Sequence, residues 1–260
     1  MSKSRISEAF HGKKAFAAYL MAGDPSLEKT RGYILALEAG GADVIEIGIP
    51  FSDPIAEGET IQGANLRAFA GGGAGLDGIF GMVKSLRGEV SVPLLFMSYV
   101  NPVFNYGYGA FFAKCADCGI SGLIFPDLPF EEQGEVSGPM KAHGLDLITL
   151  VAPTSGADRI EKIAKSASGY VYLVSSTGVT GVRGEITTDI ARMAGEIKKH
   201  TDVPVAVGFG IHSPRQAAEL SKHADGIIVG SAIVNIIAEQ GENTAPALTA
   251  YVRSMKAALG

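Results

Sequence analysis

The feature that most constrains this chain is an eightfold alternation. Short apolar, β-like runs recur at Phe16–Met21, Val44–Ile49, Val92–Met97, Gly122–Phe125, Leu145–Val151, Tyr170–Val174, Val203–Val207 and Gly226–Val229. Between them lie segments with helical periodicity, among them Thr30–Ala39, Glu131–His143, Ala157–Ala164, Thr188–His200, Pro214–Ser221 and Ala245–Leu259. Apolar strands alternating with helices form parallel sheets, because each right-handed crossover lays its helix on a sheet face. Eight such units predict an α/β fold of the (β/α)8 TIM-barrel type. A doubly wound open sheet is the alternative, but it usually has fewer strands and a glycine fingerprint after the first, which is missing here. No linker, charge block or low-complexity tract interrupts the pattern, so residues 1–260 read as one domain. Ser4–Phe10, ahead of the first strand, reads as a short extra N-terminal helix placed to plug the barrel bottom.

Composition narrows the function classes. The chain is 47% apolar, enough for a sizeable core, only 19% charged, and carries a net charge of -5. Lysines and arginines are outnumbered and nowhere form a long basic stripe, which argues against a nucleic-acid partner. No run approaches the roughly 18 apolar residues of a membrane span, and the opening residues lack the apolar core of a signal peptide. A cytoplasmic enzyme is the expectation. Cys115 and Cys118 form a C-x-x-C pair near a helix end closed by Gly119. A low-pKa redox pair needs a helix start and a metal site needs more ligands, so these read as bystander thiols and no metal is expected.

In a parallel barrel, chemistry belongs to the C-terminal strand ends. There Glu46 sits inside the apolar run Val44-Ile45-Glu46-Ile47, where an ionised side chain is costly unless it faces a cavity or a partner. The loop after it, rich in Pro, Gly, Ser and Asp, is expected to carry Asp53 and Glu57 back over the strand end. Asp127 follows the fourth strand. Ser175–Gly184, Gly208–Pro214 and Gly230–Ile233 follow the sixth, seventh and eighth strands. Glycines at three consecutive strand ends, Gly230 among them, followed by a short helix, match a phosphate cradle of backbone N–H groups. His212, next to Ser213-Pro214, reads as a helix-cap neighbour. His11, His143, His200 and His223 share no metal-ligand spacing.

These residues resemble the α subunit of tryptophan synthase, which cleaves indole-3-glycerol phosphate to indole and glyceraldehyde 3-phosphate. The resemblance spans essentially the whole chain. It is carried by Glu46-Ile-Gly-Ile-Pro-Phe-Ser-Asp-Pro54, Gly23-Asp-Pro25, Tyr99-Val-Asn-Pro102, Pro126-Asp-Leu-Pro129, Gly178-Val-Thr-Gly181 and Val207-Gly-Phe-Gly-Ile211. It implies Glu46 as the catalytic glutamate, Thr180 as the threonine of a closing loop, and Gly181, Gly210 and Ser231 as backbone phosphate contacts. It also implies Tyr172 as an active-site tyrosine and Tyr19 at a position near the indole usually held by Phe. Where the family loop typically reads Ala-Asp-Gly-Pro, this chain has Ala56-Glu57-Gly58-Glu59. Glu57 then becomes the second catalytic carboxylate, one methylene longer, on a loop expected to be loosened by loss of the proline. Asp53, Asn101 and Pro129 are implied contacts with a β subunit that holds pyridoxal phosphate in an α2β2 assembly, and no cofactor is expected in this subunit.

The implied reaction is a retro-aldol cleavage without a Schiff base, in which indole C3 gains a proton and the adjacent hydroxyl loses one. Another phosphosugar isomerase or epimerase barrel would share the phosphate cradle but not Phe51-Ser-Asp-Pro54 after Glu46. A non-catalytic activator of the β subunit is the third reading, hinted at only by Glu57-Gly-Glu59.

Overall fold

The computed structural model describes residues 4–73, 75–175, 190–208 and 210–260. Eight strands, β1 (Ala15–Met21), β2 (Val44–Gly48), β3 (Leu94–Met97), β4 (Gly122–Ile124), β5 (Asp146–Val151), β6 (Val171–Val174), β7 (Val205–Gly208) and β8 (Gly226–Val229), close in sequence order into a barrel. Every neighbouring pair is parallel, including β1 with β8. The strands fall where the alternation places them, within a few residues at each end.

The described helices are α1 (Arg5–Glu8), α2 (Leu27–Gly40), α3 (Glu59–Ala70), α4 (Leu76–Ser85), α5 (Val100–Tyr106), α6 (Tyr108–Cys118), α7 (Gly134–Ala142), α8 (Ala157–Ser166), α9 (Ile190–Lys198), α10 (Pro214–Ser221), α11 (Ser231–Glu239) and α12 (Thr244–Ala257). Three of them correct the sequence reading. Helix α3 is too polar to show a clear stripe, and α4 is broken up by glycines. Helix α5 contains Pro102 as its third residue, a place where a missing N–H costs nothing because the first turn leaves those donors unpaired anyway. Asn101 and Pro102 therefore lie in a helical first turn and not in a strand-end loop.

Alternation along the strands divides the core into two. One set of side chains, such as Phe16, Leu20, Ile45, Ile47, Phe96 and Leu173, faces the helices. The other set, Ala17, Val44, Leu95, Ile124, Ile148, Tyr170 and Ile228 among them, fills the barrel interior together with Ile6 and Phe10. The extra helix is thus the plug expected for it. Ser4 caps it, Ser7 Oγ donates to the Gly169 carbonyl at 2.7 Å, and the Phe10 ring lies 5.5 Å from that of Tyr170.

Both ends of the chain meet at one buried carboxylate. Asp43, just before β2, is contacted by Lys13 ahead of β1 and by Lys256 in α12, and it accepts the Phe16 N–H at 2.8 Å. Lys256 also donates to the Lys14 carbonyl at 2.7 Å, and α12 lies against α2 where Gly40 admits Val252. Cys115 and Cys118 are buried in α6, and burial raises both thiols, that of Cys118 to about 11, as bystander thiols require.

Candidate active site

Strand register builds the floor of the site. Tyr19 on β1 is paired with Glu46 on β2, and Glu46 with Leu95 on β3, so these side chains point the same way into the barrel mouth. A slip of one residue would turn Glu46 toward the helices. Glu46 is fully buried. The Tyr170 hydroxyl donates to its Oε1, while its Oε2 is buried with no hydrogen-bond partner among the described residues. Burial raises this carboxyl to about 7, and the Tyr170 hydrogen bond only partly opposes the shift.

Two tyrosines flank the floor in matching seats. A Cβ on Gly48, the residue two beyond Glu46, would stand 2.2 Å from the Tyr19 hydroxyl. A Cβ on Gly208 would stand 2.5 Å from the Tyr172 hydroxyl, one pleat above the pairing of Tyr172 with Ala206. Each glycine ends its strand bare, and the ring from the preceding strand lies in the space. Tyr19 is 5% exposed and its hydroxyl has no partner among the described residues. Burial, then the nearby Glu57 and Glu46, keep that phenol protonated by raising it well above its ordinary value.

Glu57 reaches the same space from the loop after β2. It is 8% exposed, with Asn65 Nδ2 3.4 Å from one carboxylate oxygen and the Tyr99 hydroxyl hydrogen-bonding the carboxylate. Gln62 holds its backbone carbonyl at 2.8 Å, and the Ala56 N–H donates to Tyr99 at 2.8 Å. Burial raises Glu57 also to about 7 against those two hydrogen bonds. This corrects the expectation of a loose loop: Glu59 is the first residue of α3, where an acidic side chain suits the positive end of the helix, and Glu57 is held. The helix that holds it is itself fixed by Arg67, which grips buried Asp24 through two contacts of 2.7 Å.

The pocket between these groups is lined by Tyr19, Glu46, Glu57, Tyr172, Gly210 and Ser231, with Ala56, Ile61, Met97, Pro126, Ile211, Ile228 and Gly230 completing it. Its non-atom volume is about 650 Å³, counting the open mouth. Apolar walls and a few convergent polar groups are what a small aromatic ligand needs. Gly210, at φ +78°, and Gly230, which precedes the first turn of α11 begun by Ser231, lie on the rim. Thr180 and Gly181 lie outside the described residues, as does most of the loop expected to close over the substrate.

Other expectations fall elsewhere. Asp53 stays exposed beside Ser52 in a surface groove with Phe51, Leu66 and Phe69, so the loop returns Glu57 but not Asp53 over the strand end. Asp127 does not reach the pocket; both its oxygens lie 3.1 Å from the Val100 N–H at the start of α5. Asn101 and Pro129 are exposed, Pro129 in a separate groove with Asp127. His212 is a loop residue, its Nδ1 3.1 Å from the Gly210 carbonyl and its N–H bonded to Gln216 of the α10 capping box. Among the described residues no group of three or more His, Cys, Asp or Glu could hold a metal ion.

Tyr170, Asn65 and Tyr99 are the functional partners that sequence reasoning missed. Tyr170 was recoverable, since period-two alternation puts it on the same face as Tyr172. Asn65 was not, because its role depends on a helix that leaves little trace in the sequence.

Comparison with known proteins identifies the family. The family profile described as tryptophan synthase alpha chain matches residues 7–259. The tryptophan synthase alpha chain of Lacticaseibacillus casei is 45% identical over 259 residues, covering 100% of this chain and 97% of its own length. That of Methanosarcina acetivorans is 47% identical over 263 residues, covering 99% and 94%. Among solved structures, Mycobacterium tuberculosis tryptophan synthase superposes with a TM-score of 0.90 at 34% identity, covering 99% of each chain. The alpha subunit from Legionella pneumophila gives 0.87 at 36%, again covering 99% of each. By profile, identity and fold together, this chain belongs to the tryptophan synthase alpha chain family.

Proposed function

We propose that Glu46 and Glu57 divide the charge and proton chemistry of the alpha reaction. The chain is the lyase subunit of tryptophan biosynthesis, cleaving indole-3-glycerol phosphate to indole and glyceraldehyde 3-phosphate. The observation that carries the residue assignment is Glu46 itself: fully buried, one oxygen held by Tyr170, the other facing the pocket with no partner among the described residues, and raised to about 7. A carboxyl near neutrality can act as acid and then as base.

In the first step protonated Glu46 delivers its proton to indole C3, leaving positive charge on the ring nitrogen. Ionised Glu57 accepts the ring N–H and balances that charge. In the second step Glu46 takes the proton of the hydroxyl next to C3. The C–C bond breaks, its electron pair restores the indole ring, the oxygen electrons form the aldehyde, and Glu46 is again protonated. The phosphate rests on backbone N–H groups near Gly210, Gly230 and Ser231 at the start of α11, with Thr180 and Gly181 assigned to the closing loop, and Tyr172 walls the ring. Binding of that remote group becomes orientation at the reacting carbon. No step calls on a cofactor in this subunit.

The β subunit, with its pyridoxal phosphate, is the proposed partner, in a cytoplasmic α2β2 assembly. Its docking face is proposed to include Asp53, Asn101 and Pro129. Exposed Ile55, Leu66, Phe69 and Phe104 support this, because large apolar side chains beside Asp53 and one turn from Asn101 favour a protein contact. The held Glu57 speaks against the activator reading, and the apolar pocket speaks against a sugar isomerase. Incubating the purified chain with indole-3-glycerol phosphate and measuring indole separates the three; no indole with or without a cognate β subunit overturns the lyase assignment. Asp53→Ala should weaken activation by the β subunit more than turnover of the isolated chain, and equal losses would remove Asp53 from the interface.

A further inference from the structure

Two buried polar atoms in the pocket have no partner among the described residues: the Tyr19 hydroxyl and Glu46 Oε2. Their demands are complementary. An ionised carboxylate oxygen accepts only, whereas a protonated phenol can donate. The two residues are paired across β1 and β2, so their side chains enter the pocket from adjacent strands on the same face. The Tyr19 hydroxyl is carried one pleat above Glu46 by lying over Gly48. Once Glu46 has ionised by giving its proton to C3, a single alcohol between them can donate its proton to Oε2 and accept from the phenol, satisfying both.

We infer that Tyr19 is a substrate-binding residue whose hydroxyl donates to the oxygen of the reacting alcohol, the one on the carbon attached to indole C3, while Glu46 Oε2 accepts that alcohol's proton. This rests on the lyase reading. The hydrogen bond steadies negative charge on the oxygen as its proton leaves for Glu46 and the aldehyde forms. The phenol transfers no proton, so the two transfers by Glu46 remain the whole balance.

The test compares the parent chain with Tyr19→Phe on two compounds: indole-3-glycerol phosphate, followed by indole release, and indole-3-propanol phosphate, which lacks both glycerol hydroxyls, followed by direct binding. The variant should lose about tenfold in kcat/KM and bind the propanol phosphate within about twofold of the parent, since the ring and phosphate contacts remain. Unchanged kcat/KM overturns the inference, and so do equal losses on both compounds, which would assign Tyr19 to ring packing. A parent that binds propanol phosphate but releases no indole would instead overturn the lyase reading, and this inference with it.

Discussion

Glu46 and Glu57 meet in one pocket with carboxyls raised to about the same value, yet they arrive by different architectures. Glu46 is delivered by register: a strand inside a closed barrel has no freedom to move, and one tyrosine from the far side of the interior completes the hold. Glu57 is delivered by a loop, and its position depends on a chain of separate contacts running from Asp24 through Arg67 to α3 and its Asn65. A barrel strand positions a side chain through the whole fold. A loop residue needs its own local support, and that support can be weakened piece by piece.

The largest effect that would test this contrast is at the strand. Glu46→Gln keeps shape and the acceptor for Tyr170 but cannot transfer protons, and should lower indole formation by about 10² to 10⁴ with the fold intact by circular dichroism. Retention of half the turnover would mean that the register-held carboxylate is not the acid and base. At the loop, Glu57→Ala should cost about a hundredfold, while Glu57→Asp should stay within about tenfold, or 1.4 kcal/mol of barrier. An alanine variant as active as the parent would take Glu57 out of the mechanism.

Stability should separate the two as well. A carboxyl raised in the folded state holds its proton longer than in the unfolded chain, so its penalty is absent below the ordinary value of 4.5, grows as pH rises from there to about 7, and is constant above. Urea midpoints should therefore show Glu46→Gln stabilising the protein at pH 8, on the order of 2 kcal/mol, and doing little at pH 4. The gain for Glu57→Gln should be smaller, because the Tyr99 and Asn65 hydrogen bonds favour its charged form and offset part of the cost of burial. Equal gains would erase the distinction drawn here.

The smallest effect is the most local. The proposed mechanism needs Glu46 protonated and Glu57 ionised, so kcat/KM should follow a bell with its maximum near pH 7. Asn65→Ala removes a donor that favours ionised Glu57. It should move the acid limb to higher pH and reduce turnover at neutral pH by about threefold to tenfold, leaving the alkaline limb, which reports Glu46, in place. A uniform loss at every pH would make Asn65 a packing residue only.

Much of this contrast was legible before any coordinates, and the legible part was the strand part. Hydrophobic runs and turn residues are local signals, so all eight strands, the plug around Ile6 and Phe10, and Glu46 could be read from the sequence. Gly210 and Gly230 of the pocket wall could be read too, since they follow strands directly. The support of Glu57 could not: it depends on contacts between Asn65, Tyr99 and Glu57, in a helix with a mixed polar sequence and on a different strand end. The same gap explains Asp127, which from its place in the chain resembled a site residue but in three dimensions fixes the start of α5. The resemblance supplied Thr180 and Gly181 where local physics offered only a glycine-rich loop.

The meeting of both chain ends at Asp43 has a consequence in time. During synthesis β1 and β2 emerge early, with Lys13 and Asp43 close in sequence, but the second cation that Asp43 requires is Lys256, in the last helix to appear. Until α12 leaves the ribosome, the carboxylate has half its counter-charge, and α2 lacks the surface that its Gly40 is shaped to receive. The last helix therefore acts as a latch. A nascent chain stopped short of Lys256 carries all eight strands and the pocket residues, but leaves Asp43 with one counter-cation and the α2 face around Gly40 uncovered.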